Sequence, residues 1–300
     1  MKYGQRAELS RRQFSIGAAL FGGAGLFAPW ATPLMNTAYA TGPDSSIVTG
    51  FDPQFALDVP LPLCLAAYSV TDCNNVPLPP GFVQTALIKV DAITAGKKAA
   101  KHPEVTQLAF NANIFGLMGR NASTRTAFVA FRGTITFDDV ITDLGAIPEP
   151  YEPVGGFGYV HSGFQTVYQL VRESVVNNIA SAATGCDRIL VTGHSLGAAL
   201  AVLAAPDIFR NMTPNLRPNT ITFAGPIAGL CDFAKAFNQA ITSCYRVVNF
   251  LDLVPYLPPF FYKHVGRAIE VDSGGSIDPL WRHSLFAYKA GLERIIHSNG

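Results

Sequence analysis

The chain has 300 residues, of which 49% are hydrophobic and only 14% are charged, and its formal net charge is +1. This composition excludes an intrinsically disordered chain and is sufficient for a large hydrophobic core. The near-neutral charge, without any block of lysine or arginine, gives no electrostatic footprint for nucleic acid or for an anionic membrane surface.

The N-terminal segment has the features of an export signal. The pair Arg11-Arg12 precedes an uncharged apolar stretch, and the small residues of NTAYA fit an A-x-A cleavage site. We therefore predict a twin-arginine signal peptide over residues 1–40, followed by a single secreted or periplasmic domain over residues 41–300, with no stable membrane span after cleavage. The alternative is an uncleaved membrane anchor, although the strongly apolar part ends near Trp30, which is short for a span.

The chain has five cysteines, at Cys64, Cys73, Cys186, Cys231 and Cys244. They show neither a C-x-x-C motif nor the Cys/His spacing of a zinc site, so we predict no metal. Because an exported protein can keep disulfides, the close pairs Cys64/Cys73 and Cys231/Cys244 are candidates, which leaves Cys186 unpaired. The alternative is that the cysteines serve as small buried hydrophobic residues.

Short apolar runs alternate with helical patterns along the rest of the chain. A helical pattern is predicted from about Val83. Five runs rich in Val, Ile and Phe predict strands: AFVAFRGT, RILVTGHS, NTITFAGP, CYRVVNF and HVGRAIEVDS. Three stretches between them predict helices: GFQTVYQLVRESVVNNIASAA, LGAALAVLAAPDIF and LCDFAKAFNQAI. This alternation predicts an α/β fold with a mostly parallel central sheet and helices on both faces.

The stretch GHSLG at residues 193–197 is a G-x-S-x-G motif between a predicted strand and a helix that begins at Leu196. In this context the motif forms a sharp turn, the nucleophile elbow. The turn brings strand and helix so close that side chains two residues before and after the serine would collide, hence the two glycines. We expect Ser195 to be exposed there in a strained conformation. The alternative is a glycine-bounded turn with an incidental serine.

A nucleophilic serine needs a histidine to take its proton and a carboxylate to orient that histidine. In α/β-hydrolases the acid follows the serine in sequence and the histidine follows the acid. Asp252 stands just past the predicted strand CYRVVNF, in a loop of the kind that builds sites at the carboxyl ends of strands. It is therefore the predicted acid, and its alternative role is that of a solvated loop carboxylate.

Three histidines follow Asp252. His283 precedes the amphipathic run SLFAYKAGLERII, so we expect it in the loop that enters the last helix. His264 begins a strand-like segment, and His297 lies in the terminal tail, where order is least expected. The predicted base is therefore His283, with His264 as the next candidate.

Six motifs occur in the order found in a known family: FRGT, HSGF, GHSLGAAL, TFAGPIAG, NFLDLVPYLPP and HVG. On these motifs the chain resembles the class 3 lipases of the fungal triacylglycerol lipase type, over roughly residues 125–292. The resemblance implies the α/β-hydrolase fold. It also implies that Ser195, Asp252 and His283 stand at the family's nucleophile, acid and histidine positions.

The predicted reaction needs donors for an oxyanion. Leu196, directly after the nucleophile, offers one backbone N–H. The resemblance implies that Thr134, which follows Arg-Gly in FRGT, supplies the second donor. Two upstream histidines are expected to be structural: His194 packs inside the elbow, and His161 caps a helix or supports the fold.

The segment over residues 135–160 is where related lipases carry a lid. Its apolar residues fit one face of a short helix: Phe137, Val140, Ile141 and Leu144. We therefore expect a helical lid over the acyl site that opens at a lipid surface. The alternative is a fixed, ordered loop.

Together these features predict a serine hydrolase of carboxylic esters that forms an acyl-enzyme and needs no cofactor. A triacylglycerol lipase is favoured, with a lipid or other ester as substrate at a lipid–water interface. Alternatives on the same fold are an esterase, a phospholipase A1 or a polyesterase. An alternative of another class is a non-catalytic binding protein on a hydrolase scaffold.

Overall fold

The computed structural model describes residues 50–72, 76–99, 113–133 and 147–298, and these residues lie in one compact unit. The predicted signal peptide lies outside the described residues. The helices are α1 (Pro53–Asp58), α2 (Pro60–Ser69), α3 (Ala92–Ala99), α4 (Ser162–Ala182), α5 (Leu196–Asp207), α6 (Cys231–Ala240), α7 (Pro279–His283) and α8 (Leu285–Ser298). The strands are β1 (Phe82–Lys89), β2 (Ile114–Asn121), β3 (Thr126–Phe131), β4 (Pro148–Pro150), β5 (Tyr159–His161), β6 (Arg188–His194), β7 (Pro218–Phe223), β8 (Gly229–Leu230), β9 (Ser243–Asn249), β10 (Tyr262–Lys263) and β11 (Arg267–Val271).

Seven strands form a central sheet in the order β1-β2-β3-β6-β7-β9-β11. The pairs β1/β2 and β2/β3 are antiparallel, and each later pair is parallel. Because parallel strands end at one edge of a sheet, the loops after β3, β6, β7 and β9 meet there. A second, antiparallel sheet has the order β10-β8-β5-β4.

Alternation of side chains along the strands places apolar residues on both faces of the central sheet. In β3, Ala127, Val129 and Phe131 join a core with α4 and α5 on one face. Phe128 and Ala130 join a second core with α1, α2 and α8 on the other face. The predicted α/β fold with covered faces is therefore confirmed. Among the described helices, none is long and apolar enough to cross a membrane.

The five predicted strands and three predicted helices are confirmed, but the helical pattern predicted from about Val83 is wrong. Phe82–Lys89 forms the edge strand β1, and helix α3 begins only at Ala92. The pairing of β1 with β2 is irregular between Gln84 and Ala86 and again near its end. Such irregularities shift side chains between faces and remove the two-residue periodicity by which a strand is recognised.

Neither candidate disulfide is formed, and Cys73 lies outside the described residues. Cys64, Cys186, Cys231 and Cys244 are all free thiols. Cys231 is exposed at the start of α6, whereas Cys244 is buried on β9. Burial raises the pKa of the Cys64 and Cys244 thiols to about 12, so both stay protonated and behave as small hydrophobic residues. Within the described part of the chain no cluster of His, Cys, Asp or Glu side chains could hold a metal ion.

Candidate active site

Ser195 alone forms the turn between β6 and α5. Its backbone has φ 61° and ψ −130°, a conformation that is strained for any residue with a side chain. A Cβ atom at Gly193 would overlap the carbonyl oxygen of Gly197, and one at Gly197 would overlap the carbonyl oxygen of Phe131. The sharp elbow and the need for both glycines are therefore confirmed.

The serine is not exposed, contrary to expectation. Ser195 is only 1% accessible, and its Oγ lies 3.0 Å from Nε2 of His283. Gly133, two residues beyond the end of β3, lies so close that a Cβ atom added to it would be 3.0 Å from the Cβ of Ser195. The hydroxyl is thus already held at the atom that would take its proton.

Asp252 lies three residues beyond the end of β9 and is 1% accessible. Its two carboxylate oxygens are each 3.1 Å from Nδ1 of His283. One oxygen also accepts a hydrogen bond from the hydroxyl of Tyr288 at 2.6 Å, and the other accepts from the backbone N–H of Val254 at 3.0 Å. These donors hold the buried carboxylate in place against the imidazole.

His283 is the last residue of the short helix α7 rather than a loop residue, and its side chain is 19% accessible. Two consecutive carbonyls hold its backbone. The carbonyl of Arg282 accepts from the Asn249 side chain at 2.8 Å, and that of His283 itself accepts from Nε2 of His194 at 2.7 Å. Both the ring and the main chain of the histidine are therefore fixed.

The buried Arg282 ties α7 to the loop after β11. Its guanidinium pairs with Asp272 at 2.6 Å and donates to the carbonyl of Ser276 at 2.6 Å. The amide of Asn249 joins the same network, because its oxygen accepts from the N–H of Ser273 at 2.9 Å. The residue before the histidine thus anchors the short helix that carries it.

The protonation states around the triad follow from burial. Burial, with the charge of Asp252, raises the pKa of the Tyr288 phenol well above its usual value, so it stays protonated and donates. Burial, with the neighbouring His283, holds the pKa of His194 well below its usual value, so that ring is neutral. Cation formation is therefore disfavoured at His194, whereas His283 faces the buried carboxylate.

Of the two predicted oxyanion donors, the structure describes one. Leu196 is the first residue of α5, so its N–H has no partner within its own helix and remains available next to Ser195. Thr134 and the predicted lid residues of the 134–146 segment lie outside the described residues. Gly133 is the last residue before that segment.

The other histidines lie outside the triad. His161 caps α4, as expected, because its side chain accepts from the N–H of Phe164 at 3.4 Å. Burial lowers its pKa to about 4. His264 donates through Nε2 to the carbonyl of Pro255 at 2.6 Å, and burial, with the nearby Arg246, lowers its pKa to about 3. The structure therefore brings only His283, among these described histidines, to Ser195 and Asp252.

Three contributors to the site were missed from the sequence: Tyr288, Tyr68 and Asn249. Tyr288 lies within the run SLFAYKAGLERII, on the buried face of the last helix. A hydroxyl on this otherwise apolar face is the one sequence signal that indicates a polar partner for Tyr288. Tyr68 lies in α2, 126 residues before its partner His194, so no local pattern connects them. Asn249, in the motif NFLDLVPYLPP, reads as the end of a strand until its distant partners are known.

Comparisons with known proteins point to one family. Residues 128–262 match the family model described as Lipase (class 3). The chain is 33% identical to a lipase of Rhizopus niveus over 168 residues, which are 54% of this chain and 42% of that protein. It is also 30% identical to phospholipase A1-II 3 of Oryza sativa subsp. indica over 307 residues. That alignment covers 91% of this chain and 66% of the rice protein. The chain spans about half the length of the first curated relatives it matches.

Solved structures agree on the fold. The crystal structure of Lip2 lipase from Yarrowia lipolytica matches with a TM-score of 0.55 and 19% identity, over 72% of this chain and 78% of that one. At this level of identity the likeness establishes the α/β-hydrolase fold.

Proposed function

The chain belongs to the class 3 lipase family, and from that premise we propose that it hydrolyses carboxylic esters through an acyl-enzyme. Ser195 is the proposed nucleophile, His283 the base and Asp252 the orienting acid. The observation that carries this proposal is the position of one imidazole, 3.0 Å from the serine Oγ and 3.1 Å from both oxygens of a buried carboxylate.

The geometry defines the proton transfers. Because the carboxylate of Asp252 can only accept, Nδ1 of His283 carries a proton and Nε2 presents its lone pair to the serine hydroxyl. As Oγ attacks the ester carbonyl, Nε2 takes the hydroxyl proton and later gives it to the leaving alcohol. A water then attacks the acyl-enzyme by the same route, which releases the acid and restores Ser195.

We propose that the oxyanion is held by the N–H of Leu196 and by Thr134. The N-terminal end of α5 supports the first assignment, because its first N–H groups are free of intrahelical partners and carry partial positive charge. Thr134 directly follows Gly133, which lies so close to Ser195 that an added Cβ atom would be 3.0 Å from the serine Cβ, and this adjacency supports the second assignment.

The proposed substrate is a water-insoluble ester such as a triacylglycerol, met at a lipid surface. Among the described residues, twelve large hydrophobic side chains are exposed, and eight of them lie within nine residues of Asp252 or six of His283. They are Leu253, Tyr256, Phe260, Phe261, Ile277, Leu280, Trp281 and Phe286. Exposed apolar side chains concentrated in the segments that carry the acid and the base favour an interfacial substrate.

A surface substitution tests this substrate class. Phe261→Ser should lower the rate on an emulsified long-chain ester more than the rate on a dissolved short-chain ester. Val83→Ser, which removes an exposed hydrophobic side chain from the edge strand β1, is the matched control and should change neither rate. Equal losses on both esters would contradict an interfacial role for Phe261.

We further propose that the protein is exported by the twin-arginine route with cleavage after residue 40. The support is the pair Arg11-Arg12, the apolar run after it and the small residues before the cleavage point. A match to a relative named secreted mono- and diacylglycerol lipase 1 of Fusarium solani is consistent with an extracellular location. N-terminal sequencing of the exported protein should begin at Thr41, and replacing both arginines by lysine should abolish export.

The hydrolase proposal is tested with p-nitrophenyl butyrate and palmitate, on the parent beside Ser195→Ala and His283→Ala. Activity that is lost in both folded variants, with phosphonate labelling that is lost in Ser195→Ala, is expected. A parent that is inert on both esters and unlabelled would instead favour a binding protein on a hydrolase scaffold.

A second candidate activity is that of a phospholipase A1. It is favoured by the rice phospholipase A1 that aligns with 91% of this chain. Release of the sn-1 fatty acid from phosphatidylcholine, compared with release from an emulsified triacylglycerol, distinguishes the two. The ratio of the rates on p-nitrophenyl palmitate and butyrate separates a lipase from an esterase that prefers short acyl chains.

A further inference from the structure

His194, the last residue of β6 before Ser195, links two distant elements through its ring. Nδ1 lies 2.8 Å from the hydroxyl of Tyr68 in α2, and Nε2 lies 2.7 Å from the carbonyl oxygen of His283 in α7. The ring is 5% accessible and lies 4.8 Å from the His283 ring, centroid to centroid. The packing role expected from the sequence is therefore accompanied by two specific hydrogen bonds.

The direction of both hydrogen bonds is determined by chemistry. A carbonyl can only accept, so Nε2 of His194 must carry a proton and donate to His283. The ring is neutral, so Nδ1 has a lone pair and accepts from the Tyr68 hydroxyl. A single tautomer of His194 satisfies both partners.

The same tyrosine reaches the loop after β3. The Tyr68 hydroxyl lies against Gly133, because a Cβ atom added at Gly133 would come within 2.4 Å of it. This close approach explains the glycine in FRGT. Arg132 contacts both residues. Its Nε donates to the Gly133 carbonyl at 3.1 Å, and its guanidinium lies over the Tyr68 ring.

We propose that Tyr68 and His194 are positioning residues for the ester hydrolysis proposed above. They form a relay of hydrogen bonds from Tyr68 to His194 and from His194 to the backbone of His283, and Gly133 packs against the Tyr68 hydroxyl. The relay, with this packing contact, joins three parts of the site: the loop that begins after β3, the elbow, and the helix that carries the base. It touches none of the reacting atoms.

The relay helps to keep Nε2 of His283 at 3.0 Å from Oγ of Ser195. Nε2 of His283 must stay within hydrogen-bond reach of Oγ, and a displacement of about 1 Å can lower a rate about 100-fold. Without Tyr68 as its donor, His194 is free to reorient and can release the His283 carbonyl. The expected consequence is a slower chemical step with unchanged binding of substrate.

The test compares two tyrosine variants on p-nitrophenyl butyrate. Tyr68→Phe should lower kcat about 10- to 100-fold with KM almost unchanged. The rate of phosphonate labelling should fall by the same factor, because both reactions use the same nucleophile. The matched control is Tyr151→Phe, which removes another largely buried hydroxyl, one that donates to the Leu203 carbonyl at 2.5 Å, and should leave kcat unchanged.

Two variants of His194 add a rescue. His194→Gln keeps an amide that can donate to the His283 carbonyl and accept from Tyr68, so it should retain more of the parent kcat than His194→Leu, which keeps neither. Equal kcat in Tyr68→Phe and Tyr151→Phe overturns the positioning role. So does a His194→Leu variant that folds and is as active as His194→Gln.

The relay and the proposed hydrolase activity can fail separately. Nitrogen-15 NMR of the histidine side chains at pH 7 should show His194 neutral with its proton on Nε2, whether or not the protein is active. A proton on Nδ1 would overturn the relay even in an active enzyme. A parent that is inert and unlabelled by phosphonate would refute the hydrolase, and with it catalytic positioning, while the NMR result still decides the hydrogen-bond chain.

Discussion

Among the described residues, two carboxylates are almost completely inaccessible, Asp207 and Asp252, and they are held in different ways. Asp207, at the end of α5, pairs with Arg172 through two hydrogen bonds of 2.7 and 3.0 Å. It also accepts from Asn211 at 2.6 Å. Asp252 has His283 where Asp207 has an arginine.

Each carboxylate also accepts from a fully buried tyrosine. The hydroxyl of Tyr168 lies 2.8 Å from Asp207, and that of Tyr288 lies 2.6 Å from Asp252. The difference therefore lies in the cation. Arg172 is always charged, so the charge of Asp207 is neutralised permanently and serves the fold. The imidazole of His283 becomes a cation only when it takes a proton, so the charge of Asp252 is available for a reaction.

The largest expected effect comes from breaking the pair of Asp252 and His283. Asp252→Asn should lower kcat about 10,000-fold, because the amide cannot hold the required imidazole tautomer or stabilise its cation. The free energy of unfolding should change much less than it does when the pair of Asp207 and Arg172 is broken. Steady-state kinetics and urea unfolding measure the two quantities, and a variant within tenfold of the parent kcat would refute the assignment of Asp252.

Breaking the pair of Asp207 and Arg172 should have the opposite outcome, a loss of stability without a loss of kcat. Asp207→Asn removes the partner of Arg172 and should lower the free energy of unfolding by about 3 kcal/mol. This is the low end of the range for broken buried pairs, since the side chain of Arg172 is one-third accessible. Urea denaturation measures the loss, and the folded variant should keep the parent kcat. A loss of kcat as large as that of Asp252→Asn would mean that the two carboxylates do not have separate roles.

Removing the hydroxyls of Tyr288 and Tyr168 tests the same contrast between Asp252 and Asp207 with a smaller change. Tyr288→Phe should lower kcat about tenfold, because one hydrogen bond to a charged group contributes about 1.5 kcal/mol and here it helps to fix Asp252. Tyr168→Phe should instead cost about 1.5 kcal/mol of unfolding free energy with kcat unchanged. Both variants remove the hydroxyl of a buried tyrosine from a carboxylate, so each is the control for the other. Equal effects on kcat would be inconsistent with the contrast.

The last expected effect concerns pH-dependent stability and involves a buried histidine rather than a carboxylate. The pKa of His161 is lowered to about 4 in the folded protein, so the unfolded chain binds a proton that the folded chain excludes. The stability from His161 is fully present above pH 6.5 and is lost as the pH falls towards 4. His161→Asn keeps a helix-capping acceptor without a titrating ring.

Urea unfolding of the parent and of His161→Asn between pH 7 and pH 4 measures this effect. The slope of unfolding free energy against pH should be smaller in the variant by at most about 1.4 kcal/mol per pH unit, the value for one proton. Both carboxylates are common to the two proteins, so their contribution cancels. Parallel pH curves would show that His161 is not the group that titrates.

Much of the proposed site could be predicted from the sequence because it rests on local geometry. GHSLG predicts the elbow, since only glycine allows the close approach at Gly193 and Gly197. Chain order selected Asp252 and His283, and the structure brings both to Ser195. The edge strand β1 does not read as a strand because its bulged pairing hides the periodicity. The candidate disulfides rest on spacing along the chain, which says nothing about separation in space.

The sequence by itself determined the family, the alternation of strands and helices, and the identity of the three proposed catalytic residues. The tertiary structure decided how those residues are held. Asn249, Tyr68, His194 and Tyr288 act through partners that lie 24 residues or more away in the chain. Local sequence patterns encode backbone conformation and burial, whereas a hydrogen bond between distant elements depends on the packing of α2, α7 and α8 around one edge of the sheet.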